Sequence, residues 1–243
     1  MPDLRITTSW DDGDLAVPKL ADRLRHFGLA GTFFIPADNL EGRPVLPASE
    51  IRHLAEGGFE IAAHGSTHRR LPSLSPDQVR QEISDGRRRL EDVLGSSVKG
   101  FAYPGGHPGR YGRHAAKEAG FTYARTTEMF RLDAGLDRFL LGTTLQIMPH
   151  GATALLRNLL RRGDLRHRWR VALCALQNPR DVEAAVAATL ALWRRSGGVV
   201  HLWGHAWEID AFGLWPMLDR VFALLAATDP AAVRLTNQEL MSP

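Results

Sequence analysis

Cysteine is all but missing from this chain. Cys174 stands alone among 243 residues, which excludes an internal disulfide framework and leaves any metal to histidine and carboxylate ligands. Long apolar runs are missing too. No stretch approaches the roughly 18 consecutive apolar residues of a membrane-crossing helix, and Met1-Pro2-Asp3-Leu4-Arg5 enters strand-forming residues without a charged-then-apolar leader. These absences point to a soluble, cytoplasmic chain with no membrane span, unless a leader has been removed. Charge of either sign is in little excess: a formal +3 permits a polyanionic partner without requiring one, and no nucleic-acid-binding motif accompanies it. Repeats, low-complexity tracts and linkers are also lacking. A single domain over residues 1–243 is therefore expected, with 44% hydrophobic residues to build one sizeable core.

What is present is organised around Thr7-Thr8-Ser9-Trp10-Asp11-Asp12-Gly13-Asp14. Apolar and β-prone residues (Leu4, Ile6, Thr7, Thr8, Trp10) run into two adjacent carboxylates and stop at a glycine. That is the pattern of a short buried strand delivering acids to its C-terminal end, where α/β proteins keep their chemistry. Side chains alternate along a strand, so Asp11 and Asp12 take different jobs only where the backbone begins to turn, and Gly13 is expected to supply the turn. One acid could hold a metal while the other moves protons; a solvated Asp-Asp-Gly turn is the plain alternative.

Strands and helices alternate from there. Leu15, Val17, Leu20, Leu24 and Phe27 fall at helical spacing before Gly28, Gly31 to Pro36 reads as a second buried strand, Ser49 offers a cap for a helix over 51–56, and Phe59 to Ala63 is a third strand. Ser75-Pro76-Asp77 opens a long helix that Gly95 closes. Val98 to Tyr103 and Phe121 to Thr126 read as strands around a helix near 111–119, Phe139 to Met148 looks extended, and 152–161 and 181–195 look helical. Gly198 to His205 is a strand, followed by an apolar helix over about 214–227 and a short strand at 233–236. Such alternation predicts an α/β fold with a mostly parallel sheet or barrel.

The third strand runs into His64-Gly65-Ser66-Thr67-His68. Spacing of i, i+4 says little in a chain with ten histidines, but the pair follows a strand just as Asp11-Asp12 does, and parallel strands bring their C-terminal ends to one rim. Two imidazoles and one carboxylate are the ligand set of an open divalent-metal site. Two surface histidines in a loop are the alternative.

Trp10-Asp11-Asp12-Gly13, His64 to His68, and the strand ending in Phe101-Ala102-Tyr103-Pro104-Gly105-Gly106 resemble, in order, the motifs of the polysaccharide deacetylase family (NodB homology, carbohydrate esterase family 4). Gly31-Thr32-Phe33-Phe34 falls within the same resemblance, which covers roughly residues 4–125. Beyond it, only the strand ending at His205 matches a late motif that supplies a histidine. The resemblance implies a distorted parallel (β/α) barrel and a hydrolase that removes acetyl groups from N-acetylated sugars or glycans with one divalent metal ion, zinc foremost, with cobalt, nickel and manganese compatible. Carried over position by position, it implies Asp11 as general base, Asp12, His64 and His68 as metal ligands, backbone N–H near Tyr103 as help for the oxyanion, and His205 as the acid that protonates the leaving amine. The chemistry is coherent: a metal on one carboxylate and two imidazoles polarises an acyl oxygen and acidifies water, and a second, non-ligating carboxylate can take the proton.

Several positions leave alternatives. His201, Trp203 and His205 alternate on one strand and face one side; His205 lies nearer the rim, and His201 reads as a hydrogen-bonded core histidine. His150, between Pro149 and Gly151, is another candidate for the pocket, although a loop histidine beside Pro and Gly is usually structural or solvated. The arginine that the family's third motif commonly carries before its proline is missing, with Arg125 or Arg110 expected in its place. For the Asp that tunes the acid histidine, only Asp133 and Asp137 offer themselves by order. Trp203, Trp207, Phe212 and Trp215 either stack on sugar faces or fill the core. The basic segment Arg157 to Arg170 either receives a phosphate or nucleotide tail or forms a solvated helix face and loop. Beside a sugar de-N-acetylase stand two other readings, a hydrolase of a non-sugar amide on the same metal site and a barrel that binds carbohydrate without turning it over.

Overall fold

The computed structural model describes residues 4–39, 42–135, 137–160 and 165–242. Its strands are β1 (Leu4–Asp11), β2 (Thr32–Ile35), β3 (Glu60–Ala63), β4 (Gly100–Ala102), β5 (Tyr123–Arg125), β6 (Leu145–Gln146), β7 (Gly198–His205) and β8 (Val233–Arg234). The helices are α1 (Val17–His26), α2 (Ala48–Glu56), α3 (Pro76–Leu94), α4 (Gly112–Glu118), α5 (Ala152–Leu160), α6 (Leu165–Gln177), α7 (Val182–Ser196), α8 (Ala206–Ala211), α9 (Trp215–Ala226) and α10 (Asn237–Leu240).

β1 is the axis. Every residue of it except Arg5 is buried, as a strand covered on both faces must be, which is why it reads as a nearly unbroken run of Leu, Ile, Thr and Trp. It pairs in parallel with β7 along its whole length, with β2 at Ser9–Asp11, and with β8 at Arg5 and Ile6. The sheet order is β5-β4-β3-β2-β1-β7-β6, with all pairings parallel. All strand C-termini therefore open on one rim.

The stretch 141–147 touches both edges of this sheet. Leu141 bridges Arg125 on β5, whereas Thr144 and Ile147 donate to carbonyls of His201 and Trp203 on β7. The sheet thus curls into a distorted parallel (β/α) barrel. The extended stretch expected over 139–148 shrinks to Leu145–Gln146 as regular strand because its backbone divides between two partners and builds no long ladder with either.

Local signals placed most helices. Ser75 caps α3 through the Gln78 N–H while the Gln78 side chain accepts from the Ser75 N–H, Pro76 opens the helix, and Gly95 ends it at φ +68°; such a box stabilises by about 1 kcal/mol. Ser49 is not the cap of α2, which begins at Ala48 with Pro47, two residues earlier, at its N-cap. Three helices come where none was expected, one of them α10 after β8. α6 occupies part of the basic segment, and α8 follows β7 at once. Arg161 and Arg162 lie outside the described residues. No helix among the described residues is long and apolar enough to cross a membrane.

Candidate active site

The rim begins where β1 ends. Asp11 is its last residue, Asp12 has φ +74° and Gly13 φ +58°. The turn expected at Gly13 thus starts one residue sooner, on Asp12 itself. Aspartate enters the left-handed region more readily than most residues, at a cost of order 1–3 kcal/mol, and the result is that consecutive carboxylates meet different partners. Gly13 cannot be replaced lightly, since a Cβ there would sit 2.7 Å from the Ile35 side chain.

The second contribution comes from the loop after β3. Ser66 N–H donates to the Glu82 carbonyl of α3 at 2.9 Å. The buried Glu82 carboxylate accepts from Thr67 N–H at 2.7 Å, Thr67 Oγ1 at 2.8 Å and Arg69 N–H at 3.3 Å. This anchor holds His68 at φ +61°. His64 donates its Nδ1–H to the Ala102 carbonyl at 2.8 Å, which leaves Nε2 as the ring's lone-pair atom. Burial drives its pKa well below the ordinary value against the pull of Asp11 and Asp12, so the ring is neutral at neutral pH, as a metal ligand must be.

Asp12 Oδ1 lies 3.7 Å from His64 Nε2 and 3.3 Å from His68 Nε2, and one ligand atom from each of the three lies within 4.8 Å of the others. That oxygen is buried with no hydrogen-bond partner among the described residues, a costly state for a carboxylate unless a cation completes it. Its other oxygen is committed, accepting from Trp207 Nε1 at 2.9 Å with Arg43 at 3.7 Å. The residues therefore fit a divalent ion held by Asp12, His64 and His68.

Asp11 differs. Its Oδ1 is ion-paired with the buried Arg125 guanidinium, and its Oδ2 stands 3.9 Å from His64 Nε2. Burial pushes its pKa up, but Arg125, His64 and His205 outweigh that and hold the carboxyl below the usual range. Of the two arginines considered, Arg125 is the one that reaches Asp11; Arg110 lies over the ring of its neighbour Tyr111.

His205 closes the other side. Its Nδ1–H donates to Glu208 Oε2 at 2.7 Å, and although burial opposes the charge, Glu208, Asp11 and Asp12 raise its pKa. Glu208 thus occupies the place expected for Asp133 or Asp137, which instead pair with Arg131 and Arg113. The cue was local: α8 starts at Ala206 and sets position 208 one turn from 205. His201 lies deeper, with Nδ1–H to the Gly142 carbonyl at 3.1 Å and Nε2 accepting from Ser9 Oγ at 2.8 Å. Burial pushes it down to about 3. It is a core histidine.

A cavity of about 240 Å³ gathers Asp11, Asp12, His64, His68, His205, Trp203, Trp207, Arg43, Arg70, Gly105 and Thr127. Trp203 lines it with an indole N–H that has no partner among the described residues. Phe212 is exposed, and Trp215 sits under Lys19 and Arg23; neither lines the cavity. Tyr103 requires a correction, since its N–H already donates to the Arg125 carbonyl at 3.1 Å and its hydroxyl to Phe139 O. Gly105, two residues on, is the part of that motif that reaches the cavity. His150 belongs to a neighbouring hollow and contacts Gln146 Oε1 at 2.9 Å. Sequence reasoning missed Glu82, Glu208 and Arg43; the first two are single acids within helices, with no motif to set them apart.

The fold and this rim define the class first: a curled parallel (β/α) barrel whose strand ends gather two carboxylates, three imidazoles and a buried arginine about one cavity. More particularly, the chain belongs to the polysaccharide deacetylase family, whose model matches residues 1–124. Over 118 residues, 48% of this chain, it is 27% identical to a peptidoglycan-N-acetylglucosamine deacetylase of Bacillus cereus, 53% of which is covered. Across such curated relatives the match spans from 16% to 53% of their length. Among solved structures, a Mycobacterium smegmatis protein assigned to the polysaccharide deacetylases superposes with a TM-score of 0.68 at 20% identity, covering 99% of this chain and 91% of that one. A family 4 carbohydrate esterase of Streptomyces lividans in complex with acetate gives 0.57 at 18%, covering 96% and 92%. At these identities the structural likeness speaks to the fold.

Proposed function

We propose that this chain is a metal-dependent hydrolase that removes the acetyl group from the nitrogen of a sugar or glycan. The carrying observation is the division between neighbouring carboxylates: Asp12 turns an unpartnered oxygen toward two imidazoles, while Asp11 is held as an anion by Arg125. An ion bound by Asp12, His64 and His68, zinc by the donor set with cobalt, nickel and manganese compatible, would supply Lewis acidity to an acyl oxygen and to water.

The remaining work belongs to the chain. Asp11 takes the proton of the attacking water; it is ionised, buried and adjacent to the ligand set without being spent in it. Arg125 positions that carboxylate and takes the place of the arginine missing from the third motif. Glu208 fixes His205 with Nδ1–H outward from the cavity, so Nε2 is left for the substrate, and the raised pKa keeps a proton there to deliver to the departing nitrogen. The C–N bond breaks as acetate and a free amine form. Trp203 offers its indole N–H to a substrate oxygen, and the paired rings of Trp203 and Trp207, flanking His205 at 5.5 and 5.6 Å, suit a sugar face.

Elemental analysis together with acetate release from N-acetyl sugars, nucleotide sugars and chitin oligomers tests the reading. One ion per chain and metal-dependent release from a sugar are expected. Sugar binding without release would favour a non-catalytic barrel, and release from simple amides alone would favour a non-sugar amidase.

A further inference from the structure

The basic segment plays no part in the site just described. Residues 152–177 contain six arginines against one acid, Asp164, an excess of five positive charges where the whole chain has +3. One of the six is not solvated: Arg168 is fully buried, donating to the Met129 carbonyl at 2.8 Å and the Asn158 carbonyl at 3.0 Å. It fastens α6 to the barrel and to the end of α5. Of the others, Arg157, Arg166 and Arg170 are exposed.

Nine large apolar side chains are exposed among the described residues, and five of them lie on these two helices, which pack on one another. Leu156 and Leu160 stand at i, i+4 on α5, and Leu165, Trp169 and Leu173 continue at the same spacing on α6, each 44–62% exposed. At 100° per residue each set forms a stripe, and Arg157 on α5 and Arg166 and Arg170 on α6 form the stripes immediately beside them. None of these three arginines has an ion-pair partner among the described residues. A solvated helix face has no reason to display a tryptophan and four leucines, and contiguous apolar surface on this scale marks a contact site.

We infer that the α5–α6 face docks on an anionic phospholipid surface, the leucines and Trp169 entering the headgroup region and the arginines meeting lipid phosphates. The argument is charge complementarity. An apolar stripe bordered by arginine, on two helices that themselves carry no acid, is the pattern of a helix lying in a membrane interface. A twofold contact between copies through these stripes would instead bring arginines from both sides together, with no carboxylate on either helix to meet them.

Co-sedimentation of the full chain with vesicles tests this without reference to turnover, so its outcome is separate from that of the hydrolase reading. Binding to phosphatidylglycerol–phosphatidylcholine vesicles should exceed binding to pure phosphatidylcholine by about tenfold or more and weaken with salt. Trp169→Ser with Leu160→Ser should lower it by about tenfold while leaving thermal unfolding unchanged, because both positions are exposed. Arg166→Gln with Arg170→Gln should lower the preference for anionic vesicles by about fivefold per charge. Equal binding to both vesicles, binding to neither, or no effect of the variants would overturn the inference. So would a solution dimer that Trp169→Ser dissociates, since a second copy would then cover the face.

Discussion

β1 and β7 run side by side, with Thr7 opposite His201 and Asp11 opposite His205, so one strand pair carries two polar layers four residues apart. In the deeper layer the histidine is fully answered: His201 uses both ring nitrogens, on Ser9 and on the Gly142 carbonyl. At the rim, Asp12 Oδ1 and the Trp203 indole N–H have no partner among the described residues, and two backbones enter the left-handed region. The same residue types thus build structure in one layer and capacity for chemistry in the other. What separates them is the polar atom left over, because the interior tolerates such an atom only where something else arrives to complete it.

The comparison can be sharpened by mutation. Replacing the rim histidine, His205→Ala, should keep the ion and lower turnover by about 10²- to 10⁴-fold, the range for loss of a general acid. His64→Ala should weaken metal binding by more than the roughly 10- to 100-fold that losing an outer partner costs, read by elemental analysis after dialysis; unchanged stoichiometry would break the contrast. Glu208→Gln should act through His205: without that carboxylate the imidazole loses its proton at lower pH, so the alkaline limb of kcat moves down in pH while metal content stays the same.

The deeper layer should answer in stability. His201→Ala leaves the Ser9 hydroxyl and Gly142 carbonyl unpaired and opens a cavity, an expected loss of about 2–5 kcal/mol with metal retained. Its titration has a definite sign. The unfolded imidazole takes a proton below 6.5 while the folded one refuses it until about 3, so in that window the unfolded state binds more protons and stability falls with falling pH, by up to about 1.4 kcal/mol per unit. Denaturant melts at several pH values should show a shallower acid-side slope for the variant.

Sequence reading reached the rim where a residue sits at the end of an apolar strand, as Asp11, His64 and His205 do. It placed Arg125 as one of two candidates, and contact with Asp11 separates it from Arg110. It failed where long-range packing decides. Nothing local distinguishes Arg168 from Arg166 or Arg170; acceptors brought up by other elements, among them the carbonyls of Met129, Asn158 and Leu159, select it for burial. Glu208 was passed over because no helix was expected after β7, and without a helix the i, i+3 relation to His205 carries no meaning. The turn was assigned to Gly13 because glycine usually supplies positive φ, whereas Asp12 takes it first.

The central claim is that adjacent carboxylates hold different offices, and paired measurement of metal stoichiometry and turnover on Asp11→Asn and Asp12→Asn tests it most directly. Asp11→Asn keeps the shape but loses the basic oxygen, so the ion should stay while turnover falls by about 10²-fold or more. Asp12→Asn should lose metal affinity, with turnover partly restored by added metal. Loss of the ion from Asp11→Asn with its retention in Asp12→Asn would contradict the account.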